Sequence, residues 1–72
     1  MSMTAGEKIK TIMARQKVSM GEMAEQTGQS RQNLSNKMKR DDFSESEIRK
    51  MAAVIGCTVD IVFRDSEGNI VL

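Results

Sequence analysis

The stretch Gly28 to Arg40, GQSRQNLSNKMKR, carries four cations (Arg31, Lys37, Lys39 and Arg40), six hydroxyl or amide side chains and no acid. Its only sizeable apolar residues are Leu34 and Met38. A carboxamide presents a donor beside an acceptor, which matches the adenine edge in the major groove of a duplex. A guanidinium matches guanine, and ammonium groups match phosphate. The chemistry on offer is recognition of a polyanion rather than catalysis. With no histidine, the chain has no Cys/His or Ser/His pair for nucleophilic work. Cys57 is the single cysteine, so neither an internal disulfide nor a Cys/His zinc site can form. No G-x-x-x-x-G-K loop is present. Asp41, Asp42, Glu45 and Glu47 fall in a loop and a helix cap rather than in a metal-ligand pattern. The expectation is a protein that is not an enzyme, with no cofactor, metal or small-molecule ligand.

Charge is distributed unevenly. Residues 1–40 hold eight cations against three acids, a net +5, and residues 41–72 hold three cations against seven acids, a net −4. A basic half joined to an acidic half suggests one face for a polyanion. Only Phe43 and Phe63 are aromatic, too few for a single-strand stacking platform.

The elements that must position this stretch announce themselves by their starts. Thr4–Glu7 (TAGE), Ser19–Glu22 (SMGE) and Ser44–Glu47 (SESE) each read S/T-x-x-E, the capping box, and Ser30 is a fourth cap without the glutamate. Four caps imply four helices, near 5–16, 20–27, 31–39 and 45–55. Ile9, Ile12 and Met13 share one face of the first, and Met23 and Ala24 are the inward residues of the second. Ile48, Met51, Ala52 and Ile55 do the same for the fourth. Gly28 and Gly56 are natural left-handed terminators. From Cys57 onward β-branched residues dominate, Val59, Ile61 and Phe63 alternate with other neighbours, and DSEGN signals a turn. That pattern predicts a C-terminal β-strand or hairpin over residues 58–72. The fold class expected is mainly α, a four-helix helix-turn-helix unit with that β element, in one domain of 72 residues.

Helical geometry ranks the side chains of the third helix. At about 100° per residue, Leu34 and Met38 lie about 40° apart and define the buried side. Asn36 then points directly outward, Gln32 and Arg40 lie within about 40° of it, and Asn33 and Lys39 within about 60°. Gln32, Asn33 and Asn36 are therefore candidate base readers. Arg31 lies by angle towards the core side, although a long side chain in a first turn can project past the helix end. Candidate phosphate contacts are Lys37, Lys39 and Arg40, with Ser19, Met20, Lys17 and Ser30 at the helix starts and the preceding turn.

The segment SMGEMAEQTGQSRQNLSNKMKRDDFSESEIRKMAAVIGCTVD resembles the Cro/C1-type (XRE-like) helix-turn-helix domain of phage and bacterial regulators, with the likeness covering about residues 5–60. It rests on Met23–Ala24, Gly28, the polar helix that follows, and Ile48, Met51, Ala52, Ile55, Gly56 and Cys57 in order. The resemblance implies sequence-specific binding of double-stranded DNA by a transcriptional regulator, a repressor in the simplest case. It also implies that Arg31 reaches DNA. Where the family often has a glutamine at the first position of the second helix, this chain has Met20.

Dimerisation through the C-terminal strand is a further expectation, because a thin core and an open strand edge both call for cover. Two copies would set recognition helices about 34 Å apart on a palindromic site. The alternative function is a protein-interaction module, adaptor or antitoxin-like, built on the same fold. A lone cysteine, the absence of a membrane-length apolar run and a Met1–Gly6 segment without a secretory pattern suggest a cytoplasmic protein.

Overall fold

The computed structural model describes residues 3–72, so the first two residues of the Met1–Gly6 segment lie outside it. Four helices follow one another: α1 Ala5–Gln16, α2 Met20–Gln26, α3 Arg31–Arg40 and α4 Glu45–Val54. Their starts are fixed by local hydrogen bonds. Thr4, Ser19 and Ser44 each accept from the N–H three residues on, and Glu7, Glu22 and Glu47 each accept from the cap residue's own N–H. Ser30 accepts from the Asn33 N–H at 3.0 Å. Such a cap is worth typically ~1 kcal/mol, a sizeable share of the stability of so small a fold.

Helix ends are set by left-handed residues. Gly28 and Gly56 both adopt φ +71°. α1 and α3 instead end on non-glycine residues in that region, Lys17 at φ 59° and Asp41 at φ 52°. Neither was marked in the sequence, because no glycine stands there.

Ile9, Met13, Met23, Ala24, Leu34, Met51 and Ile55 form one buried cluster, with Ile12, Met38, Phe43, Ile48 and Cys57 packed around it. α2 packs on α3, and α4 lies against both α1 and α2. Met23 and Leu34 are fully buried, so the α2–α3 pair is pinned through one residue from each helix. Ala24 sits in the same cluster and, having no bulk, lets the helices approach. Two polar ties add to this. Gln16 Nε2 donates to the Ile55 carbonyl at 2.8 Å, and the Gly6 N–H donates to Asp41 Oδ1 at 3.0 Å. The second links the start of α1 to the end of α3.

The C-terminal segment departs from the β-strand or hairpin expected over 58–72. No strand forms among the described residues; there is one isolated antiparallel bridge, Arg64 with Ile70. The turn itself is present. Asp65 Oδ1 accepts from the N–H groups of Glu67 and Asn69, and Gly68 takes φ +86°. The arms are joined by three backbone hydrogen bonds, from the N–H groups of Phe63, Val71 and Asp65 to the carbonyls of Leu72, Phe63 and Asn69, but these do not extend into a strand ladder. Val62, Phe63, Ile70, Val71 and Leu72 are exposed, and Ile61, itself about half exposed, only borders a groove shared with Ile9, Ile12 and Ile48 of α1 and α4. An uncovered pair of short arms is marginal in water. The expected strand-edge dimer therefore lacks its strand.

Candidate nucleic-acid interface

α3 buries Leu34 completely and Met38 in part, and turns the rest of its surface outward. Gln32, Asn33 and Asn36 are exposed, as are Arg31, Lys39 and Arg40. The amides are not independent of one another. Gln32 Nε2 donates to Asn36 Oδ1 at 3.3 Å across one helical turn. Asn33 Nδ2 donates to Gln29 Oε1 at 3.0 Å, and Gln29 Nε2 donates to Thr27 Oγ1 at 2.8 Å. The outer face is thus a row of carboxamides with fixed partners, and such restraint lowers the entropy lost when a ligand is bound.

The cations differ among themselves. Lys39 and Arg40 stand in the last turn of α3 with no acid partner among the described residues. There the helix dipole favours positive charge. Lys37 is half-buried, and its ammonium pairs with Glu47 of α4. The Lys37 ammonium, hydrogen-bonded to the carboxylate, holds Glu47 below its usual pKa. Lys37, expected from the sequence as a phosphate contact, is thus tied to α4. Lys17 is exposed in the turn before α2. The Ser19 hydroxyl and N–H are both used by the capping box, and Met20 packs partly into the core. Ser30 is occupied as the cap of α3.

Sequence reading missed Gln29, Thr27 and Glu47 as parts of the site. Together with Asn33, Lys37 and Lys50 they line a polar cleft of about 180 Å³ beside α3. Glu47 was legible only as a cap, and the Gln29 and Thr27 contacts depend on how the turn folds back on α3. Among the described residues no group of three or more metal-ligating side chains converges. No helix among them is long and apolar enough to cross a membrane.

Two short helices joined by a glycine turn, the second presenting amides and cations outward, form a helix-turn-helix. A family model for the Cro/C1-type HTH DNA-binding domain matches residues 8–61. The chain belongs to that family. The match spans all of α2, α3 and α4 and most of α1, so the family's DNA-binding unit coincides with the four-helix core. This Cro/C1-type domain is a DNA-binding domain by membership, and α3 is the second helix of its helix-turn-helix. No curated protein and no solved structure gave a match to the chain.

Proposed function

We propose that the protein binds double-stranded DNA sequence-specifically and regulates transcription, most simply as a repressor that occupies a promoter and excludes polymerase. The observation that carries this reading is the outer face of α3. Gln32, Asn33 and Asn36 stand exposed and hydrogen-bonded in place, between Arg31 at one end and Lys39 and Arg40 at the other. The amides are the base readers, with Arg31 reading a base or phosphate at the helix start. Lys39, Arg40 and Lys17 bind phosphate, and the first-turn backbone N–H groups of α2 near Ser19 and Met20 offer donors to the same strand. Lys37 acts through its Glu47 pair and adds less free charge than its neighbours.

The working form is a homodimer. Support comes from the apolar tail, where Phe63 is 68% exposed and Leu72 87%. Apolar side chains so exposed favour cover by a second copy. Selection of bound duplexes from a random pool tests both parts. Enrichment of an inverted repeat with half-sites about 34 Å apart supports the dimeric regulator. Enrichment of a lone half-site removes the dimer, and no enrichment removes sequence-specific binding.

A further inference from the structure

The direction of the hydrogen bonds between the turn and α3 has a consequence for which base Asn33 reads. The Thr27 hydroxyl lies 2.8 Å from the Met23 carbonyl oxygen and 3.3 Å from that of Ala24. A carbonyl only accepts, so the single Thr27 proton is spent there and Oγ1 is left as an acceptor. The group of Gln29 that faces Oγ1, at 2.8 Å, must then be its amide nitrogen. That turns Gln29 Oε1 towards Asn33, which donates to it through Nδ2 at 3.0 Å. The polarity of the Asn33 amide is thereby set from the core outward. Its Oδ1 is left as a free acceptor beside the second Nδ2 hydrogen. A flip of the amide would place two acceptors against each other.

From this we infer that Gln29, a turn residue, is a positioning residue for specificity: it locks the Asn33 carboxamide so that Asn33 selects adenine. An amide with its oxygen and one N–H both facing the groove pairs with adenine N6 and N7. Guanine offers two acceptors there and leaves the locked oxygen unpaired. Among the described residues Gln32 and Asn36 are tied only to each other, by a longer bond of 3.3 Å, without such a link to the core. The inference rests on the DNA-binding reading and sharpens one of its contacts.

The test measures affinities for the selected duplex and all its single-base variants, using the wild type, Asn33→Ala, Gln29→Met and Thr27→Val. Methionine keeps the volume of glutamine without its hydrogen bonds, and valine removes the anchoring hydroxyl. Helical circular dichroism confirms that each variant is folded. Wild type and Asn33→Ala locate the base pair read by Asn33, which is an adenine. Gln29→Met and Thr27→Val lower discrimination at that same base pair by about fivefold to tenfold and leave the other positions within about twofold. A merely structural role would weaken all positions together. An unchanged Gln29→Met profile, or a loss at other positions, overturns the inference while leaving DNA binding intact. A wild type with no base preference overturns both.

Discussion

Replacing Gly6 with alanine is expected to destabilise the protein, although alanine is the better helix former by about 1 kcal/mol. Gly6 is buried in the first turn of α1. A Cβ there would collide with Asp41 Oδ1 and lie 3.4 Å from Phe43 Cε2. The carboxylate that must move is the one accepting the Gly6 N–H at 3.0 Å. Losing a hydrogen bond to a charged group costs about 1.5–3 kcal/mol. Set against the propensity gain, the net loss is about 1 kcal/mol, or a Tm lower by about 4–8 °C for a domain of this size. Asp41 also closes the C-terminal end of α3 at φ 52°, through its backbone N–H. Thermal melts of the wild type, Gly6→Ala, Asp41→Gly and the double variant form a mutant cycle. Glycine at 41 suits the left-handed backbone and leaves nothing to collide, so Gly6→Ala should raise Tm in that background. A raised Tm for Gly6→Ala alone would mean that the Asp41 carboxylate moves aside without cost.

Lys39→Ala and Arg40→Ala should each weaken DNA binding uniformly across sequences and reduce the slope of log K against log salt by about 1, read by titration at several salt concentrations. Glu47→Gln keeps a residue able to complete the capping box but removes the charge facing Lys37. Because the folded-state pKa of Glu47 is lowered, its contribution is present at neutral pH and lost as pH falls through that value. Urea melts should therefore show a shallower acid loss for Glu47→Gln than for the wild type. Leu34 is fully buried between α2 and α3, so Leu34→Ala should cost about 2–5 kcal/mol, seen as a large drop in the urea midpoint.

The helices were legible because their signals are local. A capping box is contained in four residues, and Thr4, Ser19 and Ser44 each carry one. The inward sides of α2 and α3 followed from period and from the glycine at 28. What escaped the sequence depends on contacts between elements. Gly6 with Asp41 spans 35 residues and Lys37 with Glu47 spans ten, and neither spacing carries a local pattern. Gln29 looked like an ordinary turn residue until the turn folded back on α3. The C-terminal strand failed for a related reason: β-branched residues supply propensity, but a ladder needs a covering face, and Val62, Phe63 and Val71 stay exposed.

We propose above that α3 reads base edges of duplex DNA. Fluorescence anisotropy tests it most directly, comparing the wild type with the Gln32→Ala/Asn36→Ala double variant. Each is titrated with the selected duplex and a scrambled one across a salt series. The wild type should bind the selected duplex at least about 10³ times tighter than the scrambled one, with affinity falling steeply as salt rises. The double variant should keep the salt dependence and lose most of the preference. Salt-independent binding, or a preference untouched by the double substitution, would show that α3 does not read bases through these amides.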